Sequence, residues 1–437
     1  MRVIYRGMVF TFTKKASLQS ILGYTVDNLF SDSEFYTFLR DGAIVVKDGK
    51  ILEVNDFYKV SVKDDDKVVD YSGKLIMPGF IDAHMHTTQT KAVGVYGEKL
   101  LEWLEEYIFP SEASFNSIDS AYKELDILFK EIFKNGTTTI CSYAPSSYNG
   151  TDIAFEIAQK YNMRVIIGNT IMTQGYKKIV TDAKTSMKIS DKLCNKWHNK
   201  GRSSYALTPR FALSCDDEVL NLCKDFVQSY PDIYVQTHMS ENLNEIKETL
   251  EKYPDATDYL NVYEKYSLIT ERTILGHCIH LSDSEWDRIK DQGVIIANCP
   301  TSNNFLGSGH FDYKTAIAKD IKLTLATDWA AGNTLSMFRV MDDAYKVALL
   351  NSYRLETLVR LFCATLGGAQ ALKLDDKIGS LEKGKEADFI VINTDNNSLL
   401  KYRLETANNL QDYLFSIIAL GDERLIDATY IYGQRVY

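Results

Sequence analysis

Four apolar stretches of this chain each end in a side chain able to bind a metal ion. Pro78-Gly-Phe-Ile-Asp-Ala-His84-Met-His86 closes on two histidines one residue apart. Alternation along a strand puts both imidazoles on the same side. Paired imidazoles of this kind are natural zinc or iron ligands. Ile233-Tyr-Val-Gln-Thr-His238-Met-Ser-Glu241 ends in a histidine with a carboxylate one turn further on. Thr273-Ile-Leu-Gly-His277 and Leu323-Thr-Leu-Ala-Thr-Asp328 repeat the pattern. Each member alone has a plainer reading. A strand-end Asp often caps the next helix, and an acid there suits a helix N-terminus. The conjunction is stronger: four of the 7 histidines sit at such ends. Three imidazoles and one carboxylate fit a single divalent metal with a position open for water, a source of hydroxide at neutral pH. His280 reads as loop or packing, and His198 and His310 have no such context.

The elements that must position these groups are legible as well. Between about 74 and 376, short apolar runs alternate with helical patterns. The runs are Leu75–Ile81, Thr137–Cys141, Arg164–Ile167, Ser204–Leu207, Ile233–Thr237, Thr273–Gly276, Val294–Ala297 and Leu323–Ala326. Helical patterns include Leu100–Tyr107, Ile118–Phe133, Asp216–Ser229, Glu241–Glu251 and Leu335–Leu349. Eight strands alternating with helices predict an α/β fold of the closed (β/α)8 TIM-like barrel type, with chemistry at the C-terminal strand ends. An open doubly wound sheet is disfavoured, because no glycine-rich phosphate loop follows the first strand. Both chain ends are rich in strands instead. Arg2–Phe12 alternates, and 42–54 reads as strand, Asp-Gly turn, strand. Segment 13–40 is irregular and aromatic. Ile378–Ile392 ends in a buried strand, and Leu425–Tyr437 gives two short ones around Gly433. The expected organisation is therefore 1–73 and 377–437 forming a small β-sandwich domain from both termini, with 74–376 as the barrel.

Composition narrows the function classes. The formal charge of -10 argues against nucleic acid or an anionic membrane surface as partner. No run approaches a membrane-spanning length of apolar residues. The 7 cysteines lack CxxC or framework spacing, which predicts reduced, buried thiols and a cytoplasmic location. A nucleophile elbow, a Walker loop and the H-x-E with P-C-x-x-C zinc-deaminase pattern are all missing.

PGFIDAHMH, VQTHMSE, LGHCIHLS and ATDWAAG, in this order and spacing, resemble the amidohydrolase superfamily. Within it the chain resembles guanine deaminases. The residues carrying that likeness are His86-Thr-Thr-Gln89, Leu100-Leu-Glu-Trp-Leu-Glu-Glu-Tyr-Ile-Phe-Pro-Ser-Glu112, Leu207-Thr-Pro-Arg210-Phe211, Ser240-Glu-Asn242, Asn298-Cys-Pro-Thr-Ser-Asn303 and Ala364–Ala371. Trp329 departs from the small residue expected after Asp328.

The resemblance implies that His84, His86, His238 and Asp328 hold the metal, expected to be zinc, with iron and manganese as alternatives. One ion per chain is expected, because the fourth-strand candidates Ser204–Leu207 and Arg210–Ser214 offer no Lys or Glu to bridge two. The implied reaction is attack of metal-bound hydroxide on the guanine carbon bearing the amine, releasing ammonia and leaving xanthine. Glu241 would protonate the ring nitrogen, Asp328 would take the proton of the water, and His277 would stabilise the adduct. Gln89 and Arg210 would bind the purine edge, and Phe211 or Trp103 a ring face. A role in purine catabolism and a homodimer are implied too. Two rivals stand beside this reading. One is a mononuclear relative acting on another heterocycle: an adenosine derivative, cytosine or a triazine, against which Gln89 and Arg210 speak because they suit a purine with an oxo group, or 8-oxoguanine. The other is a catalytically dead barrel used as a scaffold, against which the complete ligand set speaks.

Overall fold

A computed structural model describes residues 2–24, 33–96, 100–116 and 118–437. The chain begins with four strands, β1 (Arg2–Phe12), β2 (Tyr36–Lys47), β3 (Lys50–Asp56) and β4 (Lys67–Pro78). Asp48 and Gly49, both with positive φ, make the two-residue turn between β2 and β3, as the Asp-Gly pair predicts. β2 begins at Tyr36, earlier than the Gly42 expected, because the run from Tyr36 continues the pairing of Phe12 back through Thr11, Phe10 and Val9. The segment read as irregular therefore holds the start of a strand and a short helix, Leu18–Ile21. Its central part, 25–32, lies outside the described residues.

Eight strands follow: β5 (Phe80–His86), β6 (Thr137–Ala144), β7 (Arg164–Ile171), β8 (Ser203–Pro209), β9 (Tyr234–Met239), β10 (Thr273–His277), β11 (Ile295–Asn298) and β12 (Lys322–Leu325). They form one sheet in sequential order, and every neighbouring pair is parallel. This is the expected (β/α)8-like barrel. Every residue of β5, β6 and β7 is buried, which is why those strands read as near-continuous runs. The intervening helices start on side-chain caps: Asp216 accepts from Val219 N–H, and Ser282 with Glu285 forms a capping box.

Bonds from the residues just past β12 join the first and last strands. Asp328 N–H donates to the His84 carbonyl (2.9 Å), and His86 N–H to the Trp329 carbonyl (3.2 Å). The buried Asp82 carboxylate accepts from Thr327 N–H (3.0 Å) and from its hydroxyl.

The chain ends with β13 (Phe389–Ile392), β14 (Ile426–Ile431) and β15 (Gln434–Arg435). These extend the N-terminal strands into one mixed seven-stranded sheet, ordered β15-β14-β13-β4-β1-β2-β3 and offset at bulges in β1. A β domain built from both termini is thus present. The run Leu75–Ile81 is shared between the two sheets. β4 pairs with β13 as far as Pro78, and β5 begins at Phe80. Gly79 is the crossing point: its N–H donates to the Asp388 carbonyl, and a Cβ there would lie 2.3 Å from the Thr138 side chain. All 7 cysteines are buried and unpaired.

Candidate active site

β5, β9 and β10 deliver His84, His86, His238 and His277 at their C-terminal ends, and Asp328 follows β12. One ligand atom from each of His84, His238, His277 and Asp328 falls within a 4.8 Å cluster. His86 joins it: its Nε2 is 3.1 Å from His238 Nε2 and 3.5 Å from Asp328 Oδ1. Gly276 makes room for this crowding, since a Cβ there would lie 2.8 Å from the His84 ring. His277 and Asp328 both hold positive φ, +68° and +46°, a left-handed conformation rare outside glycine.

The donor set fits a divalent metal. Among the described residues, neither ring nitrogen of His84 has a hydrogen-bond partner, and His86 Nδ1 has none. Buried polar atoms are seldom left so. His238 is oriented for ligation: its Nδ1–H donates to the Arg210 carbonyl at 2.6 Å, which leaves the Nε2 lone pair facing the cluster. Burial holds His84, His86 and His238 below the usual histidine range, the latter two well below, and so keeps them neutral as ligands must be. Burial would also raise Asp328, but His84, His277 and His86 outweigh it and hold the carboxyl well below its usual range. The Ser302 hydroxyl donates to Asp328 Oδ2 at 2.6 Å.

A second carboxylate system lies beside the first. Glu241 precedes the helix Leu243–Lys252, one residue ahead of its cap Asn242. Burial lifts its carboxyl to about 7, with Asp328 and Glu245 adding and His277 and Ser308 opposing. Oε1 accepts from the Ser308 hydroxyl (3.1 Å), and Oε2 faces His277 Nε2 at 3.5 Å. Burial opposes charge on His277, but Glu241 and Asp328 raise its pKa overall. His277 Nδ1 bonds Asn303 Oδ1 at 2.9 Å. Glu245 Oε2 accepts from Glu241 N–H at 2.9 Å and so fixes that backbone. His280, read as packing, donates from Nε2 to the Ser308 carbonyl (2.8 Å) and thereby buttresses the residue that holds Glu241.

These groups open into one cavity at the mouth of the barrel. Gln89, Trp103, Arg210 and Phe211 all line it, with Leu100 and Leu306 among its apolar walls. Gln89 and Arg210 meet at Glu112, whose carboxylate accepts from both. Trp329, the unexpected residue after Asp328, donates from its indole N–H to Thr90 Oγ1 (3.2 Å). Sequence reasoning assigned no role to Glu112, Glu245, Ser302, Asn303 or Ser308. Glu245 had a local signal, the Asn242-x-x-Glu245 capping spacing. The others lie in segments whose only signal was the family likeness, or, for Ser308, none.

A deep barrel with clustered imidazoles and a carboxylate at its C-terminal end is the architecture of a metal-dependent hydrolase. The chain belongs to the amidohydrolase family, whose profile matches residues 75–436. Within that family it is closely related to guanine deaminases. It is 39% identical to guanine deaminase of Escherichia coli (strain K12), over 94% of this chain and 95% of that protein. The crystal structure of guanine deaminase from Bradyrhizobium japonicum superposes with a TM-score of 0.93 at 33% identity, covering 100% of this chain and 99% of that one. Guanine deaminase from C. acetobutylicum, with guanine bound in its active site, gives 0.88 at 30% identity, covering 100% of both.

Proposed function

We propose that this protein hydrolyses guanine to xanthine and ammonia. The observation that carries the reading is one cavity in which the imidazole–carboxylate cluster, Glu241 and the Gln89–Arg210 pair face a common space. His84, His86, His238 and Asp328 hold one zinc ion per chain. His277 stays outside that set, because it faces Asn303 through Nδ1 and sits between Glu241 and Asp328 through Nε2. A divalent ion in such a site supplies a hydrolytic nucleophile at neutral pH.

The side chains carry the remaining steps. An aromatic C–NH2 carbon resists addition because conjugation is lost, so the adjoining ring nitrogen must gain a proton. Glu241, lifted to about 7, delivers that proton to N3 of guanine as water adds at C2. Asp328 accepts the proton lost by the attacking water. His277 donates to the oxygen added at C2. Cleavage of the C2–N bond, with a proton passed to the leaving amine, gives ammonia and xanthine. Gln89 and Arg210 bind the oxo-bearing edge, while Phe211 and Trp103 cover the ring.

We further infer a soluble cytoplasmic homodimer working in purine catabolism on a free base, without nucleic acid. The acidic balance speaks against a nucleic-acid partner, and among the described residues no helix is long and apolar enough to cross a membrane. The division into 1–73, 74–376 and 377–437 stands as the proposed domain scheme, with the chain crossing between sheets at Gly79. The test is ammonia release by metal-loaded protein from guanine, adenine, cytosine, 8-oxoguanine and S-adenosylhomocysteine. Guanine should be turned over far faster than the others. Equal rates on adenine would return the protein to a general amidohydrolase reading.

A further inference from the structure

Glu112 sits in the short helix Phe109–Ala113, with its side chain 8% exposed. Its Oε1 accepts from Gln89 Nε2 (2.9 Å) and from Arg210 Nη1 (2.8 Å), and its Oε2 accepts from the same Nη1 (2.7 Å). A carboxylate has no proton to give. The end of the Gln89 amide that meets Glu112 must therefore be the NH2. The other end, Gln89 Oε1, is buried and has no hydrogen-bond partner among the described residues. Gln89 lines the cavity, so this orphaned acceptor is matched by a donor that arrives with the ligand. Without Glu112 the amide could turn over, and residue 89 would accept or donate equally well.

The same carboxylate acts on Arg210. Its charge is met inside the cavity wall, and the Phe109 ring lies 5.0 Å from its guanidinium carbon. The cavity gains the remaining Arg210 N–H donors without an uncompensated positive charge, which suits a neutral ligand.

We propose that Glu112 is a positioning residue that sets the hydrogen-bond polarity of the pocket, with an acceptor at Gln89 and donors at Arg210, and so selects 2-aminopurines carrying N1–H and a 6-oxo group. This rests on the guanine reading above. With C2 at the reacting position and N3 toward Glu241, the next edge of guanine presents N1–H, a donor, and then C6=O, an acceptor. 2,6-Diaminopurine carries the same leaving amine on C2, but its N1 accepts and its 6-amine donates. Both polarities are reversed, while size and leaving group are kept.

The experiment compares kcat/KM for guanine and 2,6-diaminopurine in wild type, Glu112→Ala and Glu112→Gln, with metal content and melting temperature measured alongside. Wild type should favour guanine by at least about 100-fold. Glu112→Ala should keep its metal and lower that ratio by at least about 10-fold, mainly through loss on guanine. Glu112→Gln keeps an acceptor but sets a donor against Arg210 or Gln89, so its ratio should fall between the two. A ratio within about twofold of wild type in both variants, with both substrates slowed together, makes Glu112 merely structural and overturns the proposal. If Glu112→Ala fails to fold, an unchanged ratio in Glu112→Gln overturns it alone. Absence of guanine turnover by wild type is a different failure, and it removes the guanine reading itself.

Discussion

The two rims of the barrel use the same residue types to opposite ends. At the N-terminal rim, Arg164 opens β7 and Arg202 precedes β8. Arg164 Nη2 gives two hydrogen bonds to Glu386 (2.9 and 2.7 Å), and Arg202 Nε gives a third (3.0 Å). Arg202 also bonds Asp388 and the Asn162 carbonyl, and Lys50 lies 3.5 Å from Glu386. The opposite charges there meet one another, with Arg164 Nε alone of the two guanidinium groups' buried nitrogens lacking a hydrogen bond among the described residues, and the network fastens the terminal sheet to the barrel. At the C-terminal rim, buried nitrogens of His84 and His86 and the Gln89 oxygen have no hydrogen-bond partner among the described residues. His277 and Asp328 also hold backbone conformations that cost energy. Saturation makes glue, whereas unsatisfied groups held in place make a site that completes itself with a metal and a substrate.

This contrast predicts that mutations at the two rims separate activity from stability. The largest effect is expected at the upper rim. His84→Ala should lose most of its metal and more than about 10³-fold in activity. Yet the metal-free variant should lose less stability than Glu386→Ala does, because removing His84 forfeits its packing and its 3.4 Å approach to Asp328 but no hydrogen bond among the described residues. Elemental analysis and metal-free thermal unfolding check this, and a large loss of metal-free stability breaks the comparison. Glu241→Gln should keep its metal and lose roughly 10²- to 10⁴-fold in kcat. Metal loss with full specific activity on reloading would make Glu241 structural.

The lower rim should respond the other way. Glu386→Ala strips two buried arginines of a shared acceptor and should cost about 3–5 kcal/mol of unfolding free energy, with kcat per folded molecule almost unchanged. Arg210→Ala should lower kcat/KM for guanine about 10- to 150-fold, the scale of one hydrogen bond to a charged group, with metal retained. Unchanged guanine kinetics would remove Arg210 from the pocket's specificity. The smallest effect is a pH dependence of stability. Burial opposes ionisation of Glu386, but Arg202 and Arg164 outweigh it and hold its pKa below the usual range. Its folded form therefore binds a proton less readily than its unfolded form. The stability it contributes is complete above about pH 4.3 and is lost as pH falls through the lowered value. The stability of wild type measured by urea unfolding should fall with acid in that window more than that of Glu386→Gln.

The barrel was legible because its strands are buried on both faces and read as short apolar runs, each followed by a helical period. The strand-end histidines stood out for the same reason, as polar residues closing apolar runs. The junction at Leu75–Ile81 was not legible, because a strand in the terminal sheet and one in the barrel share a single apolar run and only the tertiary contact at Gly79 divides them. The early start of β2 was hidden because its signal is pairing with β1, a long-range property. Ser302 and Asn303, in the short helix Pro300–Phe305, and Ser308 just beyond it are small polar residues with no chemistry that the sequence singles out; only distance to Asp328, His277 and Glu241 gives them meaning. Glu112 was quoted as part of a likeness, but its bond to residues far away in sequence could not be seen there.

The seam between β5 and β12 ties the site to the order in which the chain folds. Asp82 and Thr327, which bond across it, are 245 positions apart in the sequence. Contacts of that separation close a long loop and must wait until the strands between them are in place around the ring. His84 and His86 stand on one side of the seam and Asp328 on the other, so an open ring holds its imidazoles without their carboxylate. Hydrolytic chemistry is thereby withheld while the ring is open, and a metal held by these residues would act as a clasp across that join.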